Sequence, residues 1–368
     1  MVSCAEKRGV SHLVLNKNGM YDKIRVKIKG GIIMNKILKK LLLAFMPFLI
    51  LISTAVTTQA AATKSVTPKL AYTIKGLNHN LNVQNFYIGS SYLYVTQRRG
   101  STTYLSRCTI KGDTATYKDE MVLTNCGHGQ SLEYMQYENK SYFLVGCKSS
   151  STDNMNWSLQ IGVIKYTAGK NIDYTAMKRF SFMNYANKTA TSIGTTKRVA
   201  AATSQDNNRI IFRVCNTNND FMYSIYDRNA LLKMLLKDTS ETNLDMRKAT
   251  SACLASFTQK GNSRVWPNKS FQGVEMTGIS NIYVSGGAEE QIAQICKMNT
   301  KGTLQSTVSI TGVKKTKNSK TPEIEGLQAK TVNGENRLYF VLPYYDKLFG
   351  ILKKDNTQQV YYINESSF

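Results

Sequence analysis

The stretch HGQSLEYMQYENKSYFLVGC, residues 128–147, sets two polar side chains, Gln130 and Glu133, three residues apart before a turn and a tyrosine-rich apolar run. Its second half, Tyr142-Phe-Leu-Val145, has the composition of a buried β-strand bounded by turn residues. One copy would indicate little, but the arrangement recurs along the chain. The recurrence predicts several equivalent units, each built on the same pair of strands.

The other copies keep the same order: a polar residue, a spacer, an apolar residue, a second polar or aromatic residue, a turn and a strand. They are Gln84-Asn-Phe-Tyr87 before YLYV, Gln272-Gly-Val-Glu275 before NIYV, and Glu325-Gly-Leu-Gln328 before RLYFV. A weaker copy, KRVAAATSQDNNRIIFRV at 197–214, has lost the polar pair, and Arg198 marks the gap. The repeats therefore start near residues 84, 130, 199, 272 and 325.

Strand-like runs bounded by Gly, Asn, Asp and Ser continue after residue 62, and no linker divides them. A chain of this length ordinarily splits into domains, whereas a closed repeat architecture distributes its core among neighbouring units. We therefore predict an all-β fold, a five-bladed β-propeller formed by residues 63–368 as a single domain. The leucine-rich segment 227–257 is predicted as a short helical insertion that absorbs part of the longer spacing.

The polar pairs are the candidate functional residues of this fold. Residues three apart on a regular strand point to opposite faces, so one member of each pair is expected in the loop before the strand, at the channel mouth. Two uses remain open: hydrogen bonds that lock neighbouring blades, or a site for a ligand or ion. With the nearby histidine, the candidate binding set is Gln84, His128, Gln130, Glu133, Gln272, Glu275, Glu325 and Gln328.

A secretory signal peptide is predicted at residues 34–62, MNKILKKLLLAFMPFLILISTAVTTQAAA. Basic residues are followed by an apolar core and a small-residue cleavage site, the three parts of a Sec-type signal. The apolar run is short for a transmembrane anchor and no stop-transfer charge follows it. Because such a signal stands at the N-terminus, residues 1–33 are expected to be a mis-called start and not part of the protein. The signal also predicts that the protein is secreted and extracellular.

After residue 60 the chain carries 38 lysines and arginines against 22 acidic residues, a net charge of +16. This charge favours polyanionic partners. For an exported protein these are teichoic acids, acidic wall glycans and anionic lipid surfaces of an envelope, and export argues against nucleic acid. The basic segment RNALLKMLLK, residues 228–237, either lies on an anionic bilayer or packs its apolar face on the propeller, which we favour. A monomer is expected.

No motif for a metal or a cofactor stands in the sequence, so neither is predicted. After the signal segment only His79 and His128 remain, and the pair in Cys126-Gly-His128 is too close in sequence for a nucleophile and its base. No catalytic residue is assigned, and whether the protein is an enzyme stays open.

The six cysteines after the signal occupy matching places in the repeats, Cys108 with Cys296 and Cys147 with Cys215. An even number in an exported protein suggests disulfides. Equivalent positions on packed sheets, however, lie about 10 Å apart, too far for that bond. Most of the six are therefore expected to be small buried side chains.

Glu133, Glu275 and Glu325 come from equivalent places on three repeats and are expected to converge. A glycosidase needs two carboxylates that flank the scissile bond, so a cell-wall glycan hydrolase is one alternative function. Another alternative is a lectin or adhesin that binds the envelope without killing, because Trp157, Trp266 and the many tyrosines suit stacking on sugar rings.

The export signal, the basic chain, GHGQSLEY at 127–134 and FQGVEM at 271–276 together resemble the helveticin J family of class III bacteriocins. The likeness runs over essentially the whole chain after the signal. It implies a large secreted protein that kills closely related Gram-positive bacteria, and it supplies no catalytic residues to carry over. The degenerate third repeat departs from the pattern and puts a complete polar ring in doubt.

Overall fold

β-Strands, most of them paired antiparallel, form more than half of the residues that the computed structural model describes. The structure describes residues 63–237, 240–313, 321–344, 346–348, 351–353 and 358–368. The predicted signal peptide and the segment 1–33 lie outside these residues, so their assignment stays a prediction. Within the described residues, no helix is both long and apolar enough to cross a bilayer.

The strands are numbered in chain order. The first nine are β1 (Thr63–Val66), β2 (Lys69–Lys75), β3 (Val83–Ile88), β4 (Tyr92–Arg99), β5 (Thr102–Lys111), β6 (Thr114–Thr124), β7 (Leu132–Tyr137), β8 (Lys140–Ser149) and β9 (Ser158–Ile164). The next eight are β10 (Asn171–Asp173), β11 (Lys178–Ser181), β12 (Thr196–Thr203), β13 (Arg209–Asn216), β14 (Phe221–Asp227), β15 (Asn243–Asp245), β16 (Cys253–Gln259) and β17 (Val274–Thr277). The last eight are β18 (Asn281–Gly286), β19 (Gln294–Asn299), β20 (Leu304–Ile310), β21 (Glu325–Val332), β22 (Glu335–Pro343), β23 (Asp346–Leu348), β24 (Ile351–Lys353) and β25 (Gln358–Asn364).

One α-helix, α1 (Arg228–Leu236), and several short 3₁₀ helices complete the secondary structure of the described residues. The 3₁₀ helices are Tyr174–Ala176, Met183–Tyr185, Met246–Lys248, Thr250–Ala252, Gly261–Ser263, Pro267–Lys269 and Glu365–Ser367.

Each repeat seen in the sequence opens an antiparallel meander of four strands. The first four meanders are β3-β4-β5-β6, β7-β8-β9-β11, β12-β13-β14-β16 and β17-β18-β19-β20. The last is β21-β22-β25-β2, in which the fourth strand comes from the beginning of the described chain. The weak copy at 197–214 thus forms a full unit, because its alternating apolar residues suffice for a strand pair without the polar residues.

The first strands of the meanders form a closed ring. β3 contacts β7, β7 contacts β12, β12 contacts β17, β17 contacts β21, and β21 contacts β3 again. Meanders that radiate from such a ring are the arrangement of a β-propeller, so the predicted all-β propeller is confirmed.

Hydrophobic clusters lie between successive meanders, including between the last and the first. Side chains on the two faces of one strand enter different clusters: Leu144 of β8 packs toward the third meander, whereas Phe143 and Val145 pack toward the first. Both faces of the sheets are therefore buried, which explains why the strands read as continuous apolar runs.

The helical insertion is shorter than the segment 227–257 predicted for it. Helix α1 is capped by Asp227, whose carboxylate accepts a hydrogen bond from the Ala230 N–H at 2.7 Å. Further along, β15 pairs with β11, and β16 already belongs to the third meander. Leu231, Leu232 and Leu235 are buried in the cluster between the second and third meanders, so the helix packs its apolar face on the propeller.

The cysteines of the described chain are free and buried, as their places in the repeats suggested. Cys108, Cys147, Cys215 and Cys296 lie in the clusters between meanders. They fill volume there as small apolar side chains.

Candidate functional site

The polar residues of each repeat lie at two levels of the central channel. Gln130 and Gln272 stand in the loops before β7 and β17, whereas Glu133 and Glu275 lie within those strands. The expectation of a loop residue is wrong for the first and last repeats: Gln84 lies within β3 and Glu325 within β21, where a shift of register next to the residue takes the place of the loop. Three residues of extended chain separate the two levels by about 10 Å. We call the level where the inner strands begin the entry end, and the opposite level the exit end.

At the entry end, amide side chains bond to each other across the ring. Gln130 Nε2 donates to Gln272 Oε1 at 2.7 Å and to the Phe271 carbonyl at 3.3 Å. Asn85 Nδ2 donates to the Gln130 carbonyl at 2.9 Å, and Gln272 Nε2 donates to the Glu323 carboxylate. Because β12 stands between β7 and β17 in the ring, this entry-end network links meanders that are not neighbours.

The third repeat places a cation where the other repeats have an amide or a carboxyl. The Arg198 guanidinium lies 4.3 Å from the Trp157 ring and 4.2 Å from the Phe271 ring. The His128 ring stacks on the Trp157 ring, with the two ring centroids 4.0 Å apart. Burial lowers the pKa of His128 to about 3, so the ring is neutral and forms part of a packed stack.

Gln84 and Glu325 belong to the entry end, and each has one buried oxygen without a hydrogen bond. Gln84 Oε1 and Glu325 Oε2 find no partner in the described part of the chain. Burial, and after it the charge of Glu323, raises the pKa of Glu325 well above its usual range. Glu325 therefore holds its proton to higher pH than an exposed glutamate does.

At the exit end, side chains hold the neighbouring inner strand through its backbone or a hydroxyl. Glu275 Oε2 accepts a hydrogen bond from the Ala329 N–H at 2.7 Å, which joins β17 to β21. Gln328 Oε1 accepts from the Ile88 N–H at 2.8 Å, which joins β21 to β3. Thr203 donates its hydroxyl to Glu133 Oε2 at 3.2 Å, which joins β12 to β7.

A cavity of about 320 Å³ opens at the exit end. Glu133 and Glu275 line it with Thr203 and Gln328, and Lys330 stands at its wall with Nζ donating to the carbonyls of Ile88 and Gly89, each at 3.3 Å. The rest of the wall consists mainly of hydroxyls and amides, from Ser90, Ser204, Gln205, Asn207 and Thr331. The cavity is polar and offers many hydrogen bonds.

The two carboxyl groups of this cavity both have raised pKa values. Burial raises the pKa of Glu275 to about 8. Burial, and after it the negative charge of Glu275, raises the pKa of Glu133 well above its usual range. Their side chains are only 3% and 1% exposed, so water does not solvate either charge. Neutral carboxyl groups donate and accept hydrogen bonds but supply no anionic nucleophile or base.

The sequence motif missed three residues of these levels. Glu323 precedes its repeat by two residues, Thr203 ends the degenerate repeat, and Lys330 follows its repeat by two residues. The signal that could have found them is their spacing, because a charged or hydroxyl residue an even number of positions from a motif residue shares its strand face. Among the described residues no group of three His, Cys, Asp or Glu side chains is placed to hold a metal ion.

Comparison with solved structures finds propeller proteins at low similarity. The WD40 domain of Toxoplasma gondii coronin is 8% identical with a TM-score of 0.36, over 81% of this chain and 84% of that chain. GH43B of the Bacteroides ovatus xyloglucan PUL is 8% identical with a TM-score of 0.39, over 79% of this chain and 54% of that chain. The periplasmic gluconolactonase PpgL of Pseudomonas aeruginosa is 10% identical with a TM-score of 0.34, over 77% of this chain and 73% of that chain.

Likeness at this level says nothing about function. No curated protein matches the sequence. A family model described as bacteriocin helveticin-J, in contrast, matches residues 62–364. Since this match spans most of the chain and includes every repeat, the protein belongs to the helveticin J family of bacteriocins.

Proposed function

We propose that the protein is secreted, binds an anionic polymer in the envelope of related Gram-positive bacteria as a monomer, and kills them without catalytic turnover. Teichoic acid and acidic wall glycan are the partner classes. The family supports the antibacterial role. The observation that carries the binding step is the net charge of +16 after residue 60, which attracts polyanions over a long range.

Export rests on the signal-like segment 34–62. The family match begins at residue 62, at the end of that segment, and this agreement supports cleavage there. The family's description as a bacteriocin also favours an extracellular product.

A polymer is a better partner for this surface than a bilayer. The leucines of α1 that would enter a membrane are buried in the protein core instead. The most exposed of the large apolar residues, Ile279, lies in the turn between β17 and β18, whereas Leu70 lies on β2 of the last meander. Electrostatic attraction to a polymer needs neither feature.

The alternative function is hydrolysis of a wall glycan by Glu133 and Glu275, which share the exit-end cavity. A glycosidase needs one protonated and one ionised carboxyl group. Burial raises the pKa of both groups, that of Glu275 to about 8, so neither is the readily ionised partner that this chemistry needs. Glu275 is also held by two backbone N–H groups, of Met276 at 2.6 Å and Ala329 at 2.7 Å. We therefore favour binding without turnover.

The salt dependence of binding tests the proposal. The purified protein is incubated with sensitive cells at rising salt, and bound protein is measured. The screening length falls from about 30 Å at 0.01 M to about 3 Å at 1 M salt, so binding should weaken steeply over that range. Binding that does not change with salt would contradict the electrostatic step.

Two further assays separate the alternatives. Purified wall sacculi should release no reducing ends, and release that is abolished by Glu133→Gln would establish the hydrolase. Viable counts of related strains should fall on exposure to the protein. Binding without any loss of viability would instead identify a lectin or adhesin.

A further inference from the structure

A second cavity, of about 570 Å³, lies between the second and third meanders. It is lined mainly by residues at or next to the end of β8, the start of β9, the end of β11 and the start of β12. Since Cys147 of β8 pairs with Gln160 of β9, these strand ends all lie at the entry end of the propeller. The volume is within the range of about 300 to 1,000 Å³ typical of sites for small ligands.

The lining of this cavity is cationic. Lys148 and Arg179 both contribute to it, and no aspartate or glutamate does. The acidic residues on the adjoining segments are engaged elsewhere: Asp245 bonds to Arg247 at 2.6 Å, and Asp173 accepts hydrogen bonds from Thr175 and Asn125. The cavity is therefore suited to an anion rather than a cation.

Polar atoms of two lining side chains have no partner among the residues that the structure describes. Arg179 Nη1 donates to the carbonyls of Thr175 at 3.1 Å and Met177 at 3.3 Å, but its Nε is buried without a hydrogen bond. Gln160, which is 9% exposed, likewise has a buried Oε1 without a partner. Buried polar groups are normally paired, so these atoms indicate room for a polar ligand or water.

Two lining residues adopt a backbone conformation that residues other than glycine rarely take. Lys148 and Phe182 both have φ of 55°. Such left-handed residues are unfavourable, and they persist where the surrounding structure enforces them, often at functional sites. Their occurrence in the lining of one cavity is a second observation that points to a built site.

Aromatic rings complete the lining. Tyr174 and Phe182 both face the cavity, and Phe182 is 47% exposed although it is large and apolar. Arg247 holds one face of the Phe182 ring, with its guanidinium 4.1 Å from the ring centroid. An exposed ring beside cations suits the C–H face of a sugar or polyol that carries a negative charge.

We propose that this cavity binds a phosphate-bearing polyol unit of the envelope polymer. Lys148 supplies a compact ammonium and Arg179 a planar fork, so the two can contact different oxygens of one phosphate group. The rings and the amide of Gln160 contact the polyol. The source of the ligand rests on the proposed function, whereas the anion site itself rests only on the geometry of the cavity.

Calorimetric titration with a synthetic glycerol phosphate oligomer tests the site, with neutral polyglycerol of equal length as the ligand control. Lys148→Glu should weaken binding of the oligomer at least tenfold. Lys111→Glu makes the same change of net charge at an exposed position of the first meander and should weaken it less than twofold. Lys148→Asn, whose side chain tolerates the left-handed backbone, should also weaken binding, which separates loss of the cation from loss of the fold.

Equal losses with Lys148→Glu and Lys111→Glu would overturn the cavity as the site, and so would equal binding of the neutral oligomer. Vesicles of phosphatidylglycerol carry the same group on a bilayer, and binding of the vesicles without binding of the soluble oligomer would overturn the polymer as its source. If sensitive cells bind Lys148→Glu as well as wild type in a salt-dependent manner, the cavity proposal fails and the proposed function stands. If the oligomer binds as expected but cells do not, the proposed function fails and the cavity proposal stands.

Discussion

The first and the last polar position of the repeat lie at opposite ends of the channel and make different kinds of contact. At the entry end, Gln130 and Gln272 bond side chain to side chain between meanders that are not neighbours. At the exit end, Glu275 and Gln328 bond to the backbone of the next inner strand and leave a polar cavity between them. A side chain that holds a neighbouring backbone keeps adjacent units together, whereas a network across the ring limits how far the ring can open.

The largest expected effect concerns the buried carboxyl groups of both ends. The folded-state pKa of Glu275 is about 8 and that of Glu323 about 7, both raised by burial, whereas an unfolded glutamate titrates near 4.5. The folded state therefore holds more protons between these values, and stability is lost as pH rises through that window. We expect the free energy of unfolding to fall by on the order of 3 kcal/mol between pH 5 and pH 8.

Denaturant unfolding at several pH values measures this loss. Glu133→Gln and Glu323→Gln each replace a carboxyl group whose pKa is raised by burial with an amide that does not titrate, and should flatten the profile. Their relative effect shows which end contributes more. A stability that rises between pH 5 and pH 8 would contradict the assignment of neutral carboxyl groups.

The substitution Gly273→Ala tests whether the inner strands β17 and β21 approach closely between the two levels of the channel. A Cβ at this position would lie 2.6 Å from the backbone of Gly326 and Leu327, so Gly273→Ala must push β17 away from β21. We expect a loss of about 3 kcal/mol in the free energy of unfolding.

Gly278→Ala in the next turn is the matched control for Gly273→Ala. It has φ of 54° and no atom within 4 Å of its added Cβ, so only the backbone penalty of about 1 kcal/mol applies. Equal losses for the two variants would show that the strands are not in tight contact.

Glu275→Ala distinguishes locking from ligand binding at the exit end. The substitution leaves the Ala329 N–H without its acceptor, and at pH 5 it should lower the free energy of unfolding by about 2 kcal/mol. Binding to cells at permissive temperature should not change. Intact stability together with lost binding would identify Glu275 as a ligand residue.

The smallest effect is expected at the entry end. Gln130→Ala removes the contact with Gln272, but the Gln130 carbonyl that binds Asn85 remains, so the loss should be about 1 kcal/mol. Gln136→Ala, at an exposed position of the same meander, should stay within about 0.5 kcal/mol of wild type. A larger loss for Gln136→Ala would remove the special role given to the network.

The repeats made the fold predictable, because the same alternation of apolar residues recurs before each turn and strand. The placement of Gln130 before β7 also follows from the motif, since residues three apart cannot share a strand face. The partners of these side chains do not follow. Gln130 bonds to Gln272 although the third meander stands between theirs in the ring, and a four-residue pattern holds no information about contacts across a ring.

The shorter helix has a similar cause. Residues 253–259 read as helical when taken with the leucines before them, yet they pair with β14 as the last strand of a meander. Tertiary pairing overrides local preference there. The cavity at Lys148 and Arg179 likewise could not be predicted from the sequence. Its lining comes from strands of two meanders and depends on backbone angles that the sequence does not reveal.

The position of strand β2 in the last meander determines when the fold can be completed. Tyr72 pairs with Val360, so the last meander is completed by residues from near the start of the described chain. Contacts between such distant residues form late and slowly, because the whole intervening chain must first be gathered. For a polypeptide exported N-terminus first, β1 would wait for β20, and β2 could pair with β6 but would wait for β25. The ring of meanders would therefore stay open until the last strand emerges.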